Sequence, residues 1–254
     1  MHRIVPRLLV VCLGILVGFG VFGAVRYLGS TCNPLDRTPC VRVLFLGNSY
    51  TFVNDLPGVF RDLARSAGRN VETGMVANGG ETLAQHAASS DSTGAIGGSR
   101  WQVVVLQEQS ELPAVESLRQ AQMYPAARSL VALVRTNGAS PVLLETWAHQ
   151  GGWPDYGLDF AAMQAAIDQA YGTIAGELQV PVAPAGQAWQ AVVRADPTIA
   201  LWQSDGSHPT PAGTFLAACA VYTRVFGPCP VGASYTDGLP PSVAAVLAQV
   251  ANAN

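Results

Sequence analysis

From Val41 onward, short runs that are apolar at both odd and even positions alternate with longer stretches whose apolar residues recur every three or four positions. The first pattern is that of a strand buried on both faces, the second that of an amphipathic helix with one face packed. The alternation predicts strands at Val41 to Leu46, Val71 to Ala77, Gln102 to Leu106, Pro141 to Thr146 and Val180 to Pro184. Between them it predicts helices at Leu56 to Ala67, Glu81 to Ser89, Glu116 to Thr136 and Asp159 to Leu178, with Gly68, Gly138 and Gly176 near their stops. Further helices are expected at Gln187 to Arg194, Pro211 to Phe226 and Ser242 to Asn252, while Ser89 to Ser99, rich in Ser and Gly, reads as a surface loop. Strand and helix in alternation imply the α/β class, a parallel sheet between two helical layers.

In such sheets ligands bind at the carboxyl ends of the strands, so the residues that follow each strand carry the chemistry. Those segments are Gly47-Asn48-Ser49-Tyr50-Thr51, then Asn78-Gly79-Gly80-Glu81-Thr82, then Gln107-Glu108-Gln109-Ser110, then Trp147-Ala148-His149, and beyond the last strand Ser204-Asp205-Gly206-Ser207-His208-Pro209. One edge therefore gathers a hydroxyl, glycine amides, carboxamides, imidazoles and a carboxylate. A serine hydroxyl becomes a nucleophile when a neighbouring base removes its proton and a third group fixes the base in one tautomer. Ser49, His208 and Asp205 suit those roles, and Thr210 and Pro211 look like the cap and first turn of a helix that stiffens the loop. The amides of Ser49 and Gly80, with the carboxamide of Gln109 or alternatively Gln107, are candidate donors to a developing oxyanion. Asn48, Tyr50, Glu108, Trp147 and His149 are candidates to touch the substrate, and Trp153 could flank the same edge.

These blocks resemble the SGNH/GDSL hydrolases: GNSYT after the first strand, a glycine after the second, a carboxamide after the third and DGSH near the C-terminus. The resemblance spans about Val41 to Phe226, and LQEQS, TWA and DGSHP are similar to a bacterial SGNH-like subgroup. It implies a flavodoxin-like sheet in the order 2-1-3-4-5, Ser49 as nucleophile, Gly80 and Gln109 in the oxyanion hole, and Asp205 and His208 completing a triad. Two positions depart from the family: Asn48 replaces its usual Asp, and a glutamine in LQEQS replaces its usual Asn.

Composition narrows the alternatives. The chain of 254 residues is 49% hydrophobic, enough for one sizeable core, and its formal charge of -3 shows no footprint for nucleic acid. All 14 basic residues are Arg, which excludes a lysine base, a Schiff base and the lysine of a phosphate-binding loop. An α/β-hydrolase elbow would need Gly where Thr51 stands, and GNSYTF is not a dinucleotide fingerprint. Glu108 and Glu111 lack an opposing carboxylate for glycosidase work. With no C-x-x-C and no H-x-x-x-H, neither a metal nor a cofactor is expected. His86 falls inside a helix with no special role.

Arg3 and Arg7 precede an apolar stretch from Leu8 to Val25 that Arg26 closes. Residues 1–28 read as an anchor that could span a bilayer, with a cleaved signal as the alternative, and Cys12 as a buried thiol within it. Residues 29–40 read as a linker and 41–254 as the hydrolase-like domain. Cys32 and Cys40, Cys219 and Cys229 are near neighbours in sequence, and in an oxidising compartment local pairing gives two disulfides. The expectation is a domain outside the cytoplasm, membrane-anchored or secreted. It would cleave a carboxylic ester, first among them O-acetyl groups on carbohydrate, with a lipase-like, thioesterase-like or acyltransferase activity and a non-catalytic glycan-binding or envelope-assembly module as alternatives.

Overall fold

The computed structural model describes Ala24–Arg26, Cys32 and residues 35–254. The apolar stretch read as an anchor lies outside the described residues except for its last two, and so does Cys12. Among the described residues, no helix is long and apolar enough to cross a membrane.

The sheet has six strands: β1 (Ala24–Arg26), β2 (Val41–Gly47), β3 (Val71–Ala77), β4 (Val103–Leu106), β5 (Ser140–Leu144) and β6 (Val182–Ala183), in the order β1-β3-β2-β4-β5-β6. All but β1 run parallel, so the parallel part has the expected 2-1-3-4-5 order. The short β1 pairs antiparallel with the edge strand β3 and was not anticipated. The last strand is shorter than expected, because Pro181 and Pro184 beside it have no N–H to donate to a ladder.

Strand residues alternate between two cores. Val43 and Phe45 face α2 (Leu56–Ser66), α8 (Ala185–Ala195), α9 (Pro211–Phe226) and α10 (Pro241–Ala253). Leu44 and Leu46 face α3 (Leu83–Ala88), α4 (Ser90–Gly98), α6 (Tyr124–Thr136) and α7 (Phe160–Leu178). Double-sided burial explains why these strands read as unbroken apolar runs.

Two local departures have physical causes. The stretch Ser89 to Ser99 is largely the helix α4: Ser89 caps it by accepting from the Ser92 amide, and Ser92, Ala95 and Ile96 turn one face inward. Helical spacing and a cap outweigh a composition that favours loops. The expected helix Glu116 to Thr136 begins as α5 (Glu116–Leu118), passes through a π turn (Arg119–Met123), and continues as α6. Pro125 at the start of α6 cannot donate the bond that would keep the register there.

Both local cysteine pairs are bonded, Cys32 to Cys40 and Cys219 to Cys229. Asn252 of α10 adds hydrogen bonds with the backbone N–H and carbonyl of Cys229, fastening the C-terminal helix to the end of α9.

Candidate active site

The carboxyl end of β2 turns directly into the short helix α1 (Ser49–Phe52), which puts Ser49 at its first position. This turn is held by two interlocked carboxamides. Asn48 Oδ1 accepts from the Tyr50 amide at 3.1 Å and from Gln107 Nε2 at 3.0 Å, while Gln107 Oε1 accepts from the Asn48 amide at 3.1 Å and Thr51 Oγ1 at 2.8 Å. Asn48 Nδ2 donates to the Glu81 carbonyl at 3.0 Å, joining the nucleophile turn to the Gly79-Gly80 loop. A Cβ on Gly47 would overlap both Thr51 Oγ1 and Gln107 Oε1, so this close approach needs glycine. Beneath the turn, His86 is fully buried: its Nε2–H donates to the Gly47 carbonyl at 2.8 Å and its Nδ1 accepts from the Ser92 hydroxyl at 2.7 Å. Burial holds this imidazole below its ordinary value, despite Glu81 nearby, so the ring is neutral in one tautomer. A histidine expected to have no special role thus anchors the residue that leads into the nucleophile turn.

His208, the candidate base, arrives on the segment before α9. Asp205 Oδ1 accepts from the amides of Ser207 at 2.9 Å and His208 at 3.0 Å, with Gly206 at a φ of 69° between them. Asp205 Oδ2 meets His208 Nδ1 at 2.6 Å, and His208 Nε2 meets Ser49 Oγ at 2.9 Å. The loop is braced by Gln203 donating to the His208 carbonyl, by Trp147 Nε1 donating to the Ser207 carbonyl at 3.0 Å, and by Thr210 capping α9 through the Gly213 amide. Burial pushes the Asp205 carboxyl up, but the Ser207 amide, the His208 ring and the His208 amide outweigh it and hold the group at about 2. It is therefore ionised at neutral pH and accepts the hydrogen bond from Nδ1–H, leaving Nε2 free to accept one from the Ser49 hydroxyl.

Among the described residues, the backbone N–H groups of Ser49 and Gly80 donate to no protein acceptor, and Gly80 is exposed with a φ of 67°. The two candidate carboxamides differ. Gln107 is buried with both ends engaged in the clamp. Gln109 has its oxygen pinned by the amides of Glu111 and Leu112 at 2.8 and 2.9 Å, while its nitrogen makes only long contacts, 3.3 Å to Ser110 Oγ and 3.4 Å to Glu111 Oε2. Only Gln109 retains a donor free to turn toward a ligand.

The residues expected against the substrate divide. Asn48, Glu108 and Trp147 lie in the interior rather than on a cleft wall: Asn48 works in the clamp, and Trp147 stacks on Tyr50 at 4.4 Å and on Trp189 at 4.0 Å. Glu108 accepts from the Leu83 amide at 3.0 Å and the Gln109 amide at 2.7 Å through one oxygen, while its other oxygen has no partner. Tyr50 is buried, yet its hydroxyl reaches Ser207 Oγ at 2.7 Å. His149 is half-buried, with Nε2 3.4 Å from Ser110 Oγ. Trp153 packs on Tyr156, and Tyr156 is exposed.

No protein-family model matches the sequence, and neither does any curated protein. Among solved structures the chain is similar to a candidate SGNH hydrolase from Slackia heliotrinireducens, at 29% identity and a TM-score of 0.62, covering 72% of this chain and 97% of that one. It is similar to a DUF4886 family protein from Bacteroides uniformis, at 19% identity and a TM-score of 0.72, covering 85% and 94%. It is also similar to Axe2, an acetyl-xylooligosaccharide esterase from Geobacillus stearothermophilus, at 16% identity and a TM-score of 0.55, covering 73% and 94%. By sheet order, flanking helices and these likenesses, the chain has the fold of the SGNH-type hydrolases.

Proposed function

We propose that this protein is an extracytoplasmic esterase that forms an acyl-enzyme on Ser49, with O-acetylated carbohydrate as its leading substrate class. The observation that carries the reading is the continuous line from Ser49 Oγ through the His208 ring to Asp205, at 2.9 and 2.6 Å. As Ser49 Oγ bonds the acyl carbon, its proton passes to His208 Nε2 and the carbonyl oxygen becomes an oxyanion facing the Ser49 and Gly80 amides. Collapse breaks the bond to the alcohol oxygen, which takes the proton from His208. Water then repeats the sequence on the acyl-enzyme and releases the acid. Asp205 orients the ring and stabilises its charge throughout.

The substrate class is supported by the likeness to an acetyl-xylooligosaccharide esterase. The location is supported by two disulfides, which persist in oxidising compartments, and by the arginine-flanked apolar N-terminus. Residues 1–28 would be its anchor or signal and residues 41–254 its catalytic domain.

A fluorophosphonate probe tests the assignment. Labelling of the wild type, abolished in Ser49→Ala, together with lost p-nitrophenyl ester turnover in folded Ser49→Ala and His208→Ala, is the expected result. Full activity in either variant, or a wild type that takes no label, removes it. Acetate preference across p-nitrophenyl esters of increasing chain length supports the acetyl reading.

A further inference from the structure

An alcohol leaving on a proton from His208 must lie beside that ring, so the groups next to His208 decide which alcohols fit. They form a row of hydroxyls ending in a second imidazole. The Tyr50 ring packs edge-on to His208 at 5.7 Å and its hydroxyl bonds Ser207 Oγ at 2.7 Å, while Ser110, which follows Gln109, has its Oγ 3.4 Å from His149 Nε2. His149 precedes Gln150, whose amide donates to the Gly206 carbonyl at 2.7 Å, which sets it beside the loop carrying Asp205 and His208, and it feels the carboxylates of Glu111 and Asp205. Burial holds its imidazole below the ordinary value of 6.5, against the pull of both carboxylates, so at neutral pH it offers one donor and one acceptor.

We propose that Ser110 and His149 form a subsite for the alcohol half of the ester, selecting an uncharged alcohol that carries further hydroxyl groups, as a sugar ring does. The inference rests on the reading of Ser49 as nucleophile. An aliphatic alcohol would cover these polar groups without bonding them, and a site built to hydrogen-bond a hydroxyl discriminates strongly against partners that lack one. An alcohol bearing phosphates, as in a coenzyme A thioester or a phospholipid, would bring its negative charge toward the carboxylates of Glu111 and Asp205.

The test compares partly acetylated xylobiose, which keeps free hydroxyls, with p-nitrophenyl acetate and acetyl-coenzyme A on the full-length protein and its His149→Ala, Ser110→Ala and His149→Gln variants. In the wild type the sugar ester should exceed acetyl-coenzyme A in kcat/KM. In His149→Ala and Ser110→Ala the loss on the sugar ester, carried mainly by KM, should exceed the loss on p-nitrophenyl acetate by about fivefold, the effect of one hydrogen bond of average strength. His149→Gln, which restores a donor and an acceptor, should recover part of it. Equal losses on both acetates, or a wild type that prefers acetyl-coenzyme A, overturn the subsite while leaving Ser49 in place. Absence of fluorophosphonate labelling and of turnover on any ester overturns the parent reading, and the subsite with it.

Discussion

Two carboxyls stand at the same edge of the sheet, Asp205 in the loop before α9 and Glu108 in the loop after β4, and they end in opposite states. Asp205 sits in an exposed loop with both oxygens engaged, by two backbone amides and an imidazole, and is held at about 2. Glu108 is fully buried, has two amide donors on one oxygen and none on the other, and burial pushes it up to about 7 against those donors. Two hydrogen bonds do not compensate a carboxylate for complete removal from water, whereas three at a surface more than do so. The difference separates their uses: Asp205 keeps the charge that an imidazolium needs, and Glu108 ties the Leu83 and Gln109 amides together as a brace that gains its proton as pH falls through about 7.

The sharpest way to break this contrast is Asp205→Asn, which removes charge and acceptor from the base while leaving its size. A fall in kcat of roughly 10³–10⁴-fold on p-nitrophenyl acetate is expected, with an unchanged circular dichroism spectrum; a near-wild-type rate would mean that His208 does not depend on this partner.

The next effect is a pH dependence. The folded value of Glu108 lies above its ordinary 4.5, so between about pH 4.5 and 7 the folded state binds more protons than the unfolded chain. The Glu108 contribution to stability should therefore be greatest below that window and fall as pH rises through it, by on the order of 3 kcal/mol, while His86 and His149, both held below 6.5 by burial, contribute a slope of the opposite sign. Asp205 acts oppositely, its contribution being lost only as pH falls from 3.8 toward 2. Glu108→Gln mimics the protonated acid and should flatten the slope above pH 4.5 in urea titrations. Glu145, raised by burial and by Asp168, should keep a residual slope of the same sign. A pH slope that Glu108→Gln leaves unchanged would sink the comparison.

A smaller loss should follow Asn48→Asp, which restores the residue usual in the family. Here it turns a carboxylate oxygen toward the Glu81 carbonyl in place of a donor. A cost of roughly 2 kcal/mol is expected, with slower fluorophosphonate labelling; no change in either would show that the amide link between the two loops is dispensable.

How much of this was legible depends on how many chain segments a feature joins. Strands such as VRVLFL carry their burial in their own composition, and Thr210-Pro211 announces a helix start within two residues. The gathering of Ser49, Asp205 and His208 was readable because Ser49 follows a strand end and the other two lie just before a helix cap, each recognisable locally. The clamp between Asn48 and Gln107 was not, since it joins residues 59 apart by reciprocal bonds that only a register between β2 and β4 creates. Nor could the sequence show that Trp147 is enclosed between Tyr50 and Trp189, because aromatic character suits a cleft and a core equally. In α4, serine and glycine content masked a helix whose inward face is only Ser92, Ala95 and Ile96.

The smallest predicted effect belongs to that helix. Ser92→Ala removes the hydroxyl that donates to His86 Nδ1 and should cost about 1 kcal/mol in thermal or urea unfolding. Its interest lies in where the disturbance travels. A side chain in a stretch that looks like filler between secondary-structure elements sets the rotation of a sealed imidazole, and that imidazole grips the carbonyl two residues ahead of the attacking oxygen. Mutational drift in this outwardly bland patch would register as altered chemistry some distance away, so a survey of surface tolerance would do well to score turnover at these positions as well as expression.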